Sequence, residues 1–506
     1  MIYDARALKG GGTLRCDLCV IGSGPGGAHA ATVAAEAGMR VVVIESGEFV
    51  TPAQMSQRED EMIPRLLWQS GARMTRDHGI HVHQGKGVGG SSLHNINLCK
   101  RIPDAVLRQW HASRGLEHLP LSAWSALYDE VETLLSVSAV PESAWNRHNK
   151  ILRDGCDALG WRGGGLKHNR TGCLGSGFCE LGCAYDAKNN VTKVLLPRLM
   201  AAGAIVLTHA HALRVNASGG RVKGVTVGAL DGPDPSVAGR FEIEAAKVCV
   251  SASATGTPAL LLRSGLRDPG GETGRSLRLH PAVIAAGDFE EPVRAWEGIP
   301  QTYECSEHLD FEAGSDRRLW IIPAFGHPMG VATMLPGHGE AHAELMGRFA
   351  HMAVLAAMLH DQTPGVVDPD GEVGVSMRYE PIASDRAQLA KGMVHCARLL
   401  FAAGAKRVII PTHRVRILRS ISEVDALADI PIEAASLSLT AVHPMGSVPM
   451  GDDPARAAVD SRGKHHHVAG LYVADGSLFP SSIGVPPQLS IYAMGLHVGR
   501  AIVADR

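Results

Sequence analysis

Short apolar runs alternate with glycine-rich turns and helical stretches along the chain. Residues 16 to 21 form a mostly apolar run, residues 40 to 44 form another, and an alanine-rich stretch to about Ala37 lies between them. Apolar runs of this length, bounded by turn residues, indicate buried strands, and alanine favours the helix. This pattern predicts a strand, a helix and a second strand, the order of a parallel α/β unit.

Later segments continue the alternation. Residues 194 to 202 predict a helix and residues 204 to 215 predict a strand. The run Asp368-Pro-Asp-Gly is a hairpin signal, and residues 382 to 403 have the apolar spacing of a long helix. The chain therefore has more elements than one nucleotide-binding unit requires, and a second domain is expected.

The turn after the first predicted strand carries a phosphate-binding motif. In Gly22-Ser-Gly24-Pro-Gly-Gly27, Gly22 allows the tight turn, Gly24 allows the backbone to approach a pyrophosphate, and Gly27 allows the helix to pack on the strand. The helix N-terminus offers amides to the phosphates, and Glu45, at the end of the second strand, can accept hydrogen bonds from a ribose diol. These features predict a Rossmann-like dinucleotide site.

Composition narrows the function further. The chain has 506 residues, 45% of them hydrophobic, with 49 Lys and Arg against 51 Asp and Glu for a net charge of -2. Near-neutral charge without basic runs predicts no nucleic-acid partner, and we expect no integral membrane segment because no apolar stretch is long enough. The first residues lack a basic region followed by an apolar core, so a cytoplasmic enzyme is expected.

Three further segments carry a resemblance to a known family. Residues 85 to 101 read Gly-Lys-Gly-Val-Gly-Gly-Ser-Ser-Leu-His-Asn-Ile-Asn-Leu-Cys-Lys-Arg, and residues 253 to 266 read Ser-Ala-Thr-Gly-Thr-Pro-Ala-Leu-Leu-Leu-Arg-Ser-Gly-Leu. They resemble the first and second signatures of the glucose-methanol-choline (GMC) oxidoreductases, with Arg267 where Gly is usual. The C-terminal His443-Pro-Met-Gly and Asp475-Gly segments resemble the family as well.

The resemblance implies FAD as cofactor and an α/β fold: a Rossmann-like FAD-binding domain with a second, α+β substrate domain built on an antiparallel sheet. The FAD-binding domain is expected over 10–115, 190–285 and 436–506, and the substrate-binding cap over 116–189 and 286–435. The residues expected at the cofactor are Gly22, Gly24, Gly27, Glu45, Gly89, Gly90, Ser91, His94, Asn95, Asn97, Val215, Asp475, Gly476, Pro487 and Gln488.

The implied reaction is oxidation of the CH-OH group of a fairly apolar alcohol. Hydride would pass to flavin N5 while His443 acts as the base, a role that suits the near-neutral pKa of histidine. Pro486 stands where the family usually has an Asn that holds the substrate oxygen, and proline has no side-chain hydrogen-bonding group and no backbone donor. This departure keeps a flavin-dependent isomerase, desaturase or decarboxylase as the alternative.

Two local features leave alternatives open. His94 takes the place of the histidine to which some family members, including the choline oxidases, tether FAD through its 8α-methyl carbon; other members lack the bond. Cys173, Cys179 and Cys183 have a spacing similar to that of FAD-dependent glucose dehydrogenases with an iron-sulfur cluster, and to cysteine loops of long-chain alcohol and cholesterol oxidases. A cluster would imply a quinone or cytochrome as electron acceptor, whereas structural thiols or a disulfide leave oxygen as the expected electron acceptor.

Overall fold

Two large sheets organise the chain, and the computed structural model describes them over residues 1–232, 236–414 and 416–505. In chain order, the strands of these residues are β1 (Ile2–Asp4), β2 (Thr13–Ile21), β3 (Val41–Ile44), β4 (Ile80–Val82), β5 (Val137–Ala139), β6 (Gly163–Gly165), β7 (Lys167–Asn169), β8 (Ile205–Thr208), β9 (Ala210–Ser218), β10 (Arg221–Asp231), β11 (Ser236–Val250), β12 (Ala282–Asp288), β13 (Tyr303–Cys305), β14 (Leu319–Pro323), β15 (Met352–Leu359), β16 (Val366–Asp370), β17 (Gly374–Arg378), β18 (Arg407–Ile410), β19 (Arg416–Leu418), β20 (Leu439–Ala441) and β21 (Leu471–Val473).

Helices cover the sheets and line the space between them. They are α1 (Pro25–Glu36), α2 (Glu59–Leu66), α3 (Asp104–Arg114), α4 (Leu121–Leu134), α5 (Arg147–Leu159), α6 (Val191–Val194), α7 (Leu196–Ala201), α8 (Ser253–Arg263), α9 (Pro328–Met334), α10 (Gly339–Gly347), α11 (Ala383–Ala402) and α12 (Gln488–Ala504). Among the described residues, no helix is both long enough and apolar enough to cross a bilayer.

The first sheet has the order β1-β8-β3-β2-β11-β10-β9, and β21 also pairs with β11. Its parallel part contains the predicted strand-helix-strand unit as β2, α1 and β3. All four residues of β3 are buried, as expected for a parallel strand with both faces covered. Helices α1 and α12 pack against each other. The parallel unit of β2, α1 and β3 is the predicted Rossmann-like arrangement.

The second sheet has the order β19-β18-β12-β15-β14-β13-β6, and β20 joins both β12 and β4. Its neighbours are antiparallel except for the parallel pair of β4 and β20. The α/β class with an antiparallel second sheet is confirmed. The second sheet also takes in β4 and β20, although they lie in the segments 10–115 and 436–506 that were predicted to belong to the FAD-binding domain.

Three local predictions can be compared directly. The hairpin is confirmed as β16 and β17, and the helix predicted over 382–403 is confirmed as α11. The single strand predicted over 204–215 was wrong, because the chain breaks at His209, where φ is +54°. The resulting β8 is parallel to β3, whereas β9 lies antiparallel at the far edge of the same sheet.

Candidate active site

A cavity of about 1070 Å³ extends along both sheets. The glycine turn after β2, the glycine-rich loop of residues 85 to 95 and the start of α12 line one part of it, and one face of the second sheet lines another. The cavity therefore joins the segments that the sequence predicts at a cofactor to a separate surface that a substrate could contact.

The glycine turn is shaped by close backbone contacts. Gly22 has φ +97°, and a Cβ there would lie 2.2 Å from the carbonyl oxygen of Ser251. A Cβ on Gly27 would lie 2.2 Å from the carbonyl oxygen of Gly22, so this glycine lets α1 pack on the strands. At Gly24, by contrast, the nearest atom to a Cβ would be Cα of Gly90 at 4.0 Å, and the residue lines the cavity. This arrangement leaves the backbone at Gly24 open to a ligand.

Gly26 is the tightest glycine of this turn, and the sequence did not single it out. A Cβ on Gly26 would lie 1.7 Å from the carbonyl oxygen of Ala474, which directly precedes Asp475. On the other side, a Cβ on Gly495 of α12 would lie 2.4 Å from the carbonyl oxygen of Gly26. The turn, the Asp475 loop and α12 thus meet at one residue without a side chain.

Glu45 closes the base of the glycine turn. Oε2 accepts from the amide and hydroxyl of Ser23 at 3.2 and 2.7 Å, and Oε1 accepts from the amides of Gly47 and Gly87 at 3.0 and 3.2 Å. Glu45 is buried and lines the cavity. Its four hydrogen bonds join β3 to both glycine segments, so a ribose diol would share oxygens that the protein already uses.

The second glycine segment lies against the first. Gly89 and Gly90 have φ of +111° and +54°, and a Cβ on Gly90 would lie 2.9 Å from Cα of Gly24. The hydroxyl of Ser91 accepts from the amide of Gly85 at 2.9 Å. Gly90 and Ser91 line the cavity, whereas Gly89, the residue before them, does not.

His94 lines the cavity beside a buried lysine. Its Nε2 is buried and has no hydrogen-bond partner among the described residues. Burial, with a further contribution from Lys188, lowers the pKa of His94 to about 3. Nζ of Lys188 donates to the carbonyl oxygens of Leu93 at 2.9 Å, Asn95 at 2.5 Å and Cys179 at 2.9 Å. The lysine therefore fixes the backbone on both sides of a neutral imidazole.

The start of α12 is tied to the same loop. Nδ2 of Asn95 donates to Oε1 of Gln488 at 2.7 Å, and Nε2 of Gln488 donates to the carbonyl oxygen of Leu98 at 2.6 Å. Pro486, Pro487, Gln488 and Asn95 line the cavity. Since the first amides of a helix have no partner within it, the N-terminus of α12 presents partial positive charge there.

Asp475 and Gly476 line the cavity between the two signatures. Oδ2 of Asp475 accepts from the amide of Ser253 at 2.9 Å and from the hydroxyl of Thr257 at 2.5 Å, and Oδ1 accepts from the amide of Ser477 at 2.8 Å. Burial raises the pKa of Asp475, although these hydrogen bonds oppose the shift. The carboxyl group holds the start of α8 beside the glycine turn.

His443 lines the cavity and contacts a second histidine that sequence reasoning missed. Nδ1 of His280 and Nδ1 of His443 are 3.3 Å apart, and the amide of Gly484 donates to Nε2 of His280 at 2.9 Å. Burial, with His280 as the secondary cause, holds the pKa of His443 well below its ordinary value. The ring is therefore neutral near pH 7. The one local signal for His280 is its His-Pro sequence, which His443-Pro444 repeats.

One face of the second sheet forms an apolar wall, which we define by its cavity-lining residues. Because side chains alternate along a strand, every second residue of β12 and β15 reaches the cavity while the residues between them enter the core. The wall consists of Ala282, Ile284, Ala286, Ile322, Ala324, Met352, Val354, Ala356, Met358 and Ile409. It offers a substrate no hydrogen-bonding side chain.

Comparison with known proteins agrees with this geometry. Residues 63–282 and 368–495 match models described as GMC oxidoreductase, and residues 17–84 match one described as FAD dependent oxidoreductase. An uncharacterised GMC-type oxidoreductase of Mycobacterium tuberculosis is 34% identical over 97% of this chain and 76% of its own length. The chain belongs to the GMC oxidoreductase family. A long-chain-alcohol oxidase of Arabidopsis thaliana is 30% identical over 97% of this chain and 68% of that protein.

Solved structures show that this GMC oxidoreductase has the fold of characterised flavoenzymes. Pyridoxine 4-oxidase from Mesorbium loti superposes with a TM-score of 0.70 and 16% identity, over 96% of this chain and 99% of that one. A formate oxidase of Aspergillus oryzae gives a TM-score of 0.70 and 15% identity, over 98% and 99%. The open backbone at Gly24, the unpartnered Nε2 of His94 and the N-terminus of α12 fit the FAD of this family.

Four residues predicted at the cofactor do not line the cavity of this GMC oxidoreductase: Gly27, Gly89, Asn97 and Val215. Asn97 is buried and does not line the cavity. Its φ of +70° lies in the left-handed region. Val215 is buried in β9, and its amide donates to the hydroxyl of Ser264 at 2.9 Å. The cavity reaches only the first residues of that strand, 210 to 212. None of these four residues lines the cavity, and their contact with the cofactor stays a prediction.

The cysteine loop does not gather the ligands of a cluster. Sγ of Cys173 accepts from the amide of Gly175 at 3.4 Å, and Sγ of Cys183 accepts from the amide of Ala187 at 3.2 Å. Among the described residues, no group of three Cys, His, Asp or Glu side chains could hold a metal ion, and the ten cysteines are free thiols. The iron-sulfur prediction for Cys173, Cys179 and Cys183 thus finds no support, and neither does the cluster-based argument for a quinone or cytochrome acceptor.

Proposed function

We propose that this GMC oxidoreductase oxidises the CH-OH group of a fairly apolar alcohol. The observation that carries the proposal is the junction of the apolar wall with His443 at the edge of the cofactor segments. FAD, when bound by the two glycine segments, the Asp475 loop and the start of α12, supplies the hydride acceptor at N5. The name of the Arabidopsis thaliana relative supports an alcohol with a long apolar chain.

His443 acts on the hydroxyl group in this proposal. In the tautomer with its hydrogen on Nδ1, the neutral ring can take the hydroxyl proton at Nε2 while the adjacent carbon gives up hydride. His280 contacts the ring at Nδ1. The wall removes the alkyl chain from water and so contributes binding energy without constraining the head group. Pro486 lines the cavity and offers the substrate oxygen no donor, so His443 binds this oxygen in the proposal.

Anaerobic mixing with a series of primary alcohols tests the function. Each methylene that contacts the wall stabilises binding by about 0.8 kcal/mol, so kcat/KM should rise about fourfold per carbon until the wall ends. We expect dodecanol to bleach the flavin absorbance rapidly, and ethanol and glucose to bleach it slowly. Faster reduction by glucose than by dodecanol would reject the apolar substrate, and no reduction by any alcohol would reject alcohol oxidation.

We also propose that FAD is bonded to His94. The bond would join an imidazole nitrogen to the 8α-methyl carbon, with loss of the N-H and one C-H proton, and the two electrons would pass through the flavin to the electron acceptor of the enzyme. A nucleophilic imidazole has to be neutral, and burial keeps His94, which lines the cavity, neutral. Its buried Nε2 has no hydrogen-bond partner among the described residues. After precipitation with acid, the yellow flavin should remain in the pellet of the wild-type protein and should appear in the supernatant of His94→Ala. Release of all flavin from the wild-type protein would contradict the bond, while leaving the oxidation itself unaffected.

A flavin-dependent isomerase, desaturase or decarboxylase is the second candidate, and the histidine pair favours it. Because the Gly484 amide donates to Nε2 of His280, neutral His280 carries its hydrogen on Nδ1 and donates it to Nδ1 of His443. The Nε2 of neutral His443 then carries a hydrogen, which suits donation to a carbonyl or enolate oxygen. This hydrogen would have to be lost before His443 could act as a base. Persistently oxidised flavin under the anaerobic conditions above is the expected result for an isomerase.

A further inference from the structure

Arg73 is a buried cation in the wall of the cavity. The residue is 6% exposed and precedes β4 in the chain. Burial alone lowers its pKa to about 10, and no acidic group of the described residues lies near enough to offset its charge. An enclosed charge without a counter-charge is costly. The site is therefore suited to an anionic ligand.

The contacts of the guanidinium group are all with neutral partners. Nη1 donates to Oε1 of Gln84 at 2.7 Å and to the hydroxyl of Thr255 at 3.4 Å, and Nε donates to Oε1 of Gln69 at 3.2 Å. The group also lies over the ring of Trp68, with Cζ 5.0 Å from its centroid. Within the described parts of the chain no hydrogen bond uses Nη2, so two N-H groups of a rigidly held guanidinium remain available to a ligand.

The surroundings of Arg73 connect it to the cofactor end of the cavity. Nε2 of Gln84, the residue before the second glycine segment, donates to the hydroxyl of Ser253 at 2.7 Å. Ser253 begins α8, and its amide donates to Oδ2 of Asp475 at 2.9 Å. The hydroxyl of Thr255, in the first turn of α8, donates to Oε1 of Gln84 at 2.8 Å. Hydrogen bonds thus connect this guanidinium through Gln84 and the start of α8 to Asp475, and the N-terminus of α8 adds positive charge.

We propose that Arg73 binds the pyrophosphate of the FAD cofactor and neutralises its charge. An arginine held by neutral partners forms charge-assisted hydrogen bonds to phosphate oxygens without losing an existing ion pair. The inference rests on the FAD site of the proposed function and is independent of the alcohol substrate. The pyrophosphate would also give Arg73 the counter-charge that no nearby acidic group of the described residues supplies.

Binding of ADP and adenosine separates a phosphate contact from a structural role. The full-length chain with His94→Ala is used, because its flavin can be removed whether or not the wild-type protein carries a bond. Calorimetric titration then compares the parent with Arg73→Met and Arg73→Lys. We expect Arg73→Met to weaken ADP binding by about tenfold to a hundredfold, the range for charge-assisted hydrogen bonds, and to change adenosine binding less than about twofold. Arg73→Lys should retain most of the ADP affinity.

Three results would overturn the inference. Unchanged ADP binding in Arg73→Met would exclude the contact, and equal losses for ADP and adenosine would assign Arg73 to structure alone. If Arg73→Met does not fold, the salt dependence of the parent decides: screening should weaken ADP binding more than adenosine binding, and equal sensitivity would count against the inference. If none of the alcohols reduced the flavin, the proposed reaction would be rejected, but these binding results would not change.

Discussion

Replacing His443 by alanine is expected to slow reduction of the flavin by an alcohol by about 10²- to 10⁴-fold, the usual contribution of a positioned acid or base. The histidine lines the cavity where the apolar wall meets the cofactor segments, and Pro486 offers no donor in its place. Single-turnover anaerobic mixing with dodecanol measures the rate directly. The flavin content should match that of the wild-type protein, because the expected loss concerns chemistry and not cofactor binding.

His443→Gln distinguishes the two roles that the histidine could have. Glutamine keeps an N-H donor but cannot take a proton, so a base would be lost as completely as in His443→Ala, whereas a donor would be partly retained. The wild-type rate provides a second check. Because the pKa of His443 is held well below its ordinary value, the ring stays neutral as the pH falls, and the rate should not drop between pH 8 and pH 6. A variant His443→Ala within a few-fold of wild type would reject both roles.

Gly26→Ala is expected to have the largest effect on folding and cofactor binding. Its Cβ would lie 1.7 Å from the carbonyl oxygen of Ala474, a distance that forces α1 or the Asp475 loop to move. Overpacking of backbone against backbone should destabilise the protein by about 3 kcal/mol or more. Thermal unfolding and the ratio of bound flavin to protein report the two consequences.

Gly24→Ala is the matched control for this substitution. Gly24 has φ -68° and ψ -178°, which any residue adopts, and its Cβ would meet no atom closer than 4.0 Å. The melting temperature of the flavin-free protein should therefore be unchanged, while FAD affinity should fall because the methyl group would occupy the approach of the pyrophosphate. Equal melting temperatures for Gly26→Ala and wild type would contradict the contact with Ala474.

The sequence predicted those features whose determinants are close together along the chain. The unit from β2 to Glu45 depends on one turn and two apolar runs, and it could be placed to within a few residues. The hairpin of β16 and β17 and the helix α11 were equally local. Their turn residues and spacing act over a few positions, and tertiary contacts did not override them.

Long-range contacts explain what the sequence could not predict. Gly26 has no room for a side chain only because Ala474 lies against it. His280 becomes part of the candidate site only through its contact with His443. Val215 and Asn97 were placed at the cofactor from family position, but the cavity reaches β9 only at its start and does not reach Asn97. The cysteine spacing similarly resembled a ligand set, although Sγ of Cys173 and Sγ of Cys183 accept from backbone amides of their own loop.

The arrangement of the first sheet also constrains how the protein is made. Strands β2 and β3 leave the ribosome early, but β21 and the Asp475 loop complete the sheet beside β11 only after residue 471 has been synthesised. A nascent chain that ends before this residue lacks the Asp475 side of the cofactor site, so we expect FAD to bind only after residue 471 has been synthesised. Until then FAD cannot cover the apolar strands that border the cofactor, and exposed apolar strands favour aggregation.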